Sequence, residues 1–352
     1  MHLDEIKRLI HPLDKQAFAD AKKRWDSIAK PLNSLGKLEQ LVCKMAGITG
    51  SSSVQISNRC VVIFCADNGV VAEGVTQTGS EVTAIVTENF TKGRASINAM
   101  ARSAKCAVIP VDIGVAQDVF GEGLLVHKIS RGTRNMVHEP AMTRQQAIEA
   151  IEFGANLVFK LKKQGYQLIL TGEMGIGNTT TSSAVASVLL GKSPAEVTGR
   201  GAGLTSDGLK RKIRAIETAL TKNQPEPGDT VDVLAKVGGY DLAGLCGAFL
   251  GGAAAHIPVM IDGFISATAA LIASRICPAA TDSMLPSHSS KEPASAMLMD
   301  ALGLYPFLNA DLCLGEGTGA VASLPFLDMG LAVYHEMSTF NDINVEQYQP
   351  LI

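Results

Sequence analysis

The sequence predicts an α/β protein whose mostly parallel sheet is covered by helices on both faces. Two observations carry this prediction. From about residue 58, short apolar runs alternate with longer helical patterns, the texture of strands buried on both sides. Five of these runs also finish in an acid beside a glycine, and open α/β sheets place ligands at the carboxyl ends of their strands. A chain of 352 residues can bury a large core, as one big domain or two ordinary ones.

The elements follow in order. Residues 1–50 read as polar-amphipathic helix, interrupted by a turn cluster, Lys30-Pro31-Leu32-Asn33-Ser34-Leu35-Gly36. Cys60–Ala66 is a strand ending in Asp67-Asn68-Gly69, and Glu81–Met100 is helical. Ala107–Val111 ends in Asp112-Ile113-Gly114, and Thr143–Gln164 is helical. Gln167–Leu170 leads into Thr171-Gly172-Glu173, followed by helical patterns over Thr180–Leu190 and Leu209–Thr221. Leu242 to Ile261 is apolar except for His256, nominally long enough to span a bilayer. It is rich in Gly and Ala, broken at Pro258 and flanked by Asp241 and Asp262, which favours a close-packed buried helix running into a strand, Ile257–Ile261. Asp311–Leu314 is the last strand candidate, and Ala322 to about Met337 reads as a helix packing on the N-terminal ones.

Composition excludes several classes. With 46% hydrophobic and 18% charged residues the chain is not disordered. Lys plus Arg is 31 against 34 Asp plus Glu, so there is no electrostatic footprint for nucleic acid. The seven cysteines are scattered, with no C-x-x-C, as in a reducing compartment rather than a disulfide framework. Met-His-Leu-Asp-Glu-Ile-Lys lacks the basic-then-apolar pattern of a signal peptide, and a cytoplasmic location is expected.

Two glycine-rich loops carry the chemistry. Gly172-Glu173-Met174-Gly175-Ile176-Gly177-Asn178-Thr179-Thr180-Thr181 and Leu314-Gly315-Glu316-Gly317-Thr318-Gly319-Ala320 each follow an apolar run and open into a helical pattern. Glycines let backbone approach a ligand, and free N–H groups at a helix start bind anions. A carboxylate is a poor neighbour for phosphate, so Glu173 and Glu316 should take a proton or face positive charge. Group transfer on a phosphorylated small molecule is the implied chemistry. As an ordinary turn, the first loop would instead use Thr179 to Thr181 as N-caps.

The strand-end acids Asp67, Asp112, Glu173, Asp262 and Glu316 include no His or Cys partner, which argues against a nucleophilic triad or a zinc site. No metal or cofactor is expected. For Asp67, Asp112 and Asp262 the reading as turn residues and caps stays open beside the functional one. Gly199-Arg200-Gly201-Ala202-Gly203-Leu204 is a second cradle candidate. Lys212, on the helix that follows, would by itself be read as solvated surface. His288 is a possible base, though a hydrogen-bonded structural histidine is the commoner outcome.

Together these motifs resemble the nicotinate-nucleotide:dimethylbenzimidazole phosphoribosyltransferases, which build the lower-ligand nucleotide of cobamides. The match includes Lys30-Pro31 through Leu38-Glu39, Ala66-Asp67-Asn68-Gly69-Val70, Glu73-Gly74-Val75 and Val82-Thr83. It continues through Gly172-Glu173, Asn178-Thr179-Thr180, Lys236-Val237-Gly238-Gly239, Asp262-Gly263-Phe264, Pro286-Ser287-His288 and Leu314-Gly315-Glu316-Gly317.

The resemblance implies transfer of the phosphoribosyl group of nicotinate mononucleotide to a base, with release of nicotinate and inversion from β to α. Glu316 would be the general base and Glu173 would sit near the reacting sugar. Gly175, Ile176, Gly177, Asn178, Thr179, Thr180, Gly201, Gly203 and Ser290 would hold phosphate and ribose, joined by Lys212 from a partner subunit. Thr78, Val86, Met174 and Leu314 would form the base pocket. The implied fold is a Rossmann-like parallel sheet in a large domain, 51–321, with a small helical domain from 1–50 and 322–352. The implied assembly is a dimer, homodimeric or paired with a paralogue, acting on small molecules away from nucleic acid and membrane.

The chain departs from the family pattern at Asn68, where Ala-Asp-His-Gly is usual, and between Thr76 and Val86. There, dimethylbenzimidazole users often show Ser-Pro and a downstream Gln, against Thr78-Gly79 and Val86 here. An apolar pocket group denies a nitrogenous base its hydrogen bond while accepting a flat ring, so phenol or p-cresol joins dimethylbenzimidazole as an expected acceptor. Two rivals remain: a non-catalytic subunit supporting an active paralogue, and a dinucleotide-binding oxidoreductase, for which Gly175-Ile176-Gly177 is only a fragment of the fingerprint.

Overall fold

The computed structural model describes residues 1–349; the last three residues of the expected 322–352 segment lie outside them. The sheet is built around β1 (Arg59–Ala66), with β2 (Ala107–Gly114), β3 (Leu125–Val126), β4 (Leu168–Met174), β5 (Val259–Met260) and β6 (Met284–Leu285). All are parallel, in the order β3-β2-β1-β4-β5-β6. This is the doubly wound order, and the crevice where it reverses lies between β1 and β4. Register there pairs Phe64 with Glu173 and Cys65 with Met174.

Every residue of β1 is buried, because both faces of the sheet are covered. Cys60, Val62 and Phe64 face one core and Val61, Ile63 and Cys65 the other, following the two-residue period of a strand. On the first face lies the helix Tyr240–Ala255, all of whose residues are buried. It meets the helix Arg144–Lys163 through glycines. A Cβ on Gly251 would stand 2.6 Å from the carbonyl oxygen of Ala155. The apolar stretch is therefore a buried helix running into β5, as expected. Among the described residues no helix is long and apolar enough to cross a membrane.

On the second face, Trp25 of the helix Lys15–Ser27 packs on Tyr334 of the helix Thr318–Glu336, ring centroids 5.0 Å apart. Arg24 donates to the carbonyl oxygens of Tyr334 and Met337, and Ile28 bridges Thr339. The first helix, Leu3–Arg8, joins the opposite core through Ile6, and Leu3 N–H donates to Glu152.

Three local expectations need correction. Glu81–Met100 is two helices, Glu81–Thr91 and Ser96–Ser103, divided where Gly93 adopts a left-handed φ of 69°. Asp311–Leu314 is not a strand: Asp311 has a φ of 52° and Leu314 is exposed, so the run has no neighbouring strand to pair with. The sheet edges are instead β3 and β6, two residues each and too short to leave a periodic pattern. Finally, the last helix begins at Thr318 rather than Ala322, directly from the Glu316 loop.

Candidate active site

β4 delivers Glu173 to the crevice, and the chain turns through Gly175-Ile176-Gly177 into the helix Asn178–Leu190. The N-cap is Gly177, with a φ of 92°; a Cβ there would stand 2.8 Å from Val71. Thr179 to Thr181 therefore lie inside the helix rather than capping it, and Thr180 and Thr181 are buried. Glu173 is buried too, and Asn178 Nδ2 donates to its Oε2. Burial, then the charges of Asp241 and Asp262, push its carboxyl up to about 8.

The second loop presses on the first. Gly315, Glu316 and Gly317 have consecutive left-handed φ values of 88°, 62° and 86°, and a non-glycine residue held there stores strain of the kind found at functional sites. A Cβ on Gly315 would stand 2.6 Å from Glu173 Oε1, and one on Gly317 would stand 2.5 Å from Val61. Glu316 Oε2 accepts the Ile97 N–H at 3.3 Å, and burial raises its carboxyl.

Both glutamates line a cavity of about 360 Å³. Gly175, Ile176, Gly177, Asn178, Thr179, Gly201, Lys212 and Ser290 line it, as do Thr78, Met174 and Leu314. Thr180, Gly203 and Val86 lie off it. Thr180 is fully buried, Gly203 is exposed with its carbonyl taken by Gln77, and Val86 packs towards the second core.

Lys212 is not a surface lysine: it is 1% exposed. Its Nζ donates to Thr179 Oγ1 at 2.7 Å and to the Gly199 carbonyl at 3.3 Å, so it enters the cavity of its own chain rather than reaching out to another. Burial draws its ammonium down to about 8, against the raising effect of Glu292.

Two strand-end acids are structural. Asp67 accepts the Ala116 N–H, and Asp112 accepts those of Gly114 and Val115; neither lines the cavity. Asp262 does, while its Oδ1 accepts the Ala320 N–H at 2.8 Å, tying β5 to the start of the Glu316 helix. His288 lines the cavity with its Nδ1 3.1 Å from Ser287 Oγ. Arg200, part of the second cradle candidate, also lines it, as do Phe264, Glu292 and Cys313, for which the sequence implied no role. Phe264 had a signal in the Asp262-Gly263-Phe264 motif; Glu292 and Cys313 had none.

A buried ammonium and two carboxyl groups raised by burial on one cavity fit transfer of a phosphorylated sugar. A family model described as phosphoribosyltransferase matches residues 10–345. The chain is 50% identical to the nicotinate-nucleotide–dimethylbenzimidazole phosphoribosyltransferase of Ruminiclostridium cellulolyticum, with all of both chains covered. The chain belongs to that family. It is also 48% identical to the Acetivibrio thermocellus protein of the same name, covering 99% of this chain and 100% of that one. The crystal structure of CobT from Thermus thermophilus superposes with a TM-score of 0.90 at 39% identity, covering 95% of this chain and 100% of that one. The chain is therefore a phosphoribosyltransferase-type enzyme on a Rossmann-like parallel sheet, and its substrates are small molecules. The oxidoreductase reading falls.

Proposed function

We propose that the enzyme moves the phosphoribosyl group of nicotinate mononucleotide onto a flat aromatic base of the dimethylbenzimidazole type, giving an α-ribotide and nicotinate. The observation that carries this reading is the convergence of Glu316, Glu173 and Lys212 on one cavity.

Lys212, Thr179, Ser290 and the backbone at Gly175 to Gly177 and Gly201 hold the 5′-phosphate. The acceptor nitrogen attacks C1′ from the face opposite nicotinate. The C1′–N bond breaks, and its electron pair neutralises the pyridinium, so the leaving group needs no further activation. Positive charge grows on the sugar in the transition state, where Glu316 opposes it and the Glu173 carboxyl, pushed up by burial, stands near the sugar as a polar neighbour. Glu316 takes the acceptor's proton, a task favoured by a carboxyl raised by burial. Thr78, Met174 and Leu314 receive the acceptor ring. Because Val86 stands off the wall, Thr78 is the polar group on this side named from sequence.

A phenolic acceptor is the second reading, favoured by the apolar character of Met174 and Leu314. A phenol hydroxyl is protonated at neutral pH and would depend on Glu316. The non-catalytic subunit is disfavoured because the three charged residues are intact and share a cavity. We assign the enzyme to the cytoplasm as a dimer; its seven free cysteines, five of them buried, suit a reducing compartment.

The test is nicotinate release from nicotinate mononucleotide with dimethylbenzimidazole, adenine, phenol and p-cresol in parallel. Release with a matching α-ribotide by mass is expected, most strongly with dimethylbenzimidazole. Preference for the phenols would establish the second reading, and silence with every acceptor from folded protein would overturn both.

A further inference from the structure

The cavity end that contains Lys212 also contains a carboxylate. Glu292 lines it, and Glu292 Oε2 is buried without a hydrogen-bond partner. The carboxylate lies against the Cα of Gly199, where a Cβ would stand 2.8 Å from the Glu292 carboxyl carbon. The carbonyl of Gly199 in turn accepts from Lys212 Nζ, so ammonium and carboxylate flank one residue. Burial raises the Glu292 carboxyl, and the charge of Lys212 opposes that rise. The N–H of Glu292 itself points to Ser290 Oγ at 3.5 Å.

The Glu292 carboxylate thus shares one cavity end with Lys212, Gly201 and Ser290, the three groups assigned above to the phosphate. A fixed carboxylate beside a phosphate dianion is repulsive, and like charges brought together in a site weaken binding. We propose that Glu292 is an internal stand-in for the substrate phosphate, engaging the anion cradle when the site is empty and displaced when the 5′-phosphate enters. This rests on the reading of Lys212, Gly201 and Ser290 as the phosphate cradle. The carboxylate keeps the buried ammonium charged and the glycine loop ordered between turnovers. Its cost is weaker phosphate binding, which speeds departure of the phosphorylated product. A nucleoside without the phosphate leaves Glu292 in place and the cradle unswitched.

The experiment compares wild type with Glu292→Gln, which keeps the shape and removes the charge. Binding of sulfate and of inorganic phosphate is measured by calorimetry, with kcat and KM for nicotinate mononucleotide alongside. The variant should bind both anions about tenfold more tightly and show a lower KM, with kcat reduced by slower product release. A merely structural residue would not yield tighter binding when removed. Equal or weaker anion binding by a variant that melts with the wild type overturns the proposal and leaves the cradle standing. If Glu292→Gln melts lower, Glu292→Ala, which also removes the charge, must show the same tightening or the proposal fails. If neither protein binds either anion, the cradle reading falls and this inference with it.

Discussion

The backbone carbonyl of Glu316 lies over the Cα of Gly172, where a Cβ would stand 2.6 Å from that oxygen. One glycine loop is thus the seat of the other, and the left-handed backbone of Glu316 is held from below by β4. Gly172→Ala must push the Glu316 loop away. Overpacking of this kind costs about 1–3 kcal/mol, and kcat/KM should fall more than that loss of stability explains, by roughly a hundredfold. Thermal melts and steady-state kinetics on the same sample check it; full activity would mean that the contact does not position Glu316.

Glu316→Gln keeps the shape of the side chain and removes the base. Nicotinate release should fall by about 10²–10⁴ in kcat, with little change in melting temperature. Transfer surviving within about tenfold would reject the general-base role.

Lys212→Met tests phosphate binding. Losing a charge-assisted bond to phosphate costs about 1.5–3 kcal/mol, so KM for nicotinate mononucleotide should rise roughly 10–100-fold while kcat moves less. An apolar chain of similar length keeps the packing, but Glu292 loses its opposing charge, so a lower melting temperature is expected beside the KM effect. An unchanged KM would place the phosphate elsewhere.

The pH dependence of stability has a defined sign. Glu173 is raised to about 8 and Asp241 to about 7, each chiefly by burial. Between the ordinary carboxylate range and those values the unfolded chain is deprotonated while the folded one keeps its protons. Stability from these groups is therefore present at low pH and lost as pH rises through about 7 to 8. Glu173→Gln should accordingly be more stable than wild type at pH 8.5, by roughly 1–4 kcal/mol, with the gap closing towards pH 5. Denaturant melts across that range check it, and a gap that widens on acidification would refute the assignment.

The helix pair behind the sheet offers a purely structural test. Gly251→Ala places a Cβ against the Ala155 carbonyl and should cost about 1–3 kcal/mol, leaving KM for nicotinate mononucleotide unchanged.

The features legible from residue order alone were local and periodic. Strands buried on both faces leave continuous apolar runs, so β1, β2, β4 and the helix into β5 were legible. Glycines that must admit another backbone, as at Gly172 and Gly317, marked both loops and with them Glu173 and Glu316. Tertiary structure decided what depends on neighbours distant in the chain. Asp311–Leu314 has the composition of a strand but no partner to pair with. Lys212 looks like any surface lysine until a glycine loop closes over it, and its role in the site was named only through resemblance to a family. Asp67 and Asp112 look like Asp262, yet only Asp262 reaches the cavity, because β5 ends beside the Glu316 helix. Glu292 carried no local signal at all: its meaning comes from facing Lys212 across Gly199, a relation set by packing and invisible to spacing.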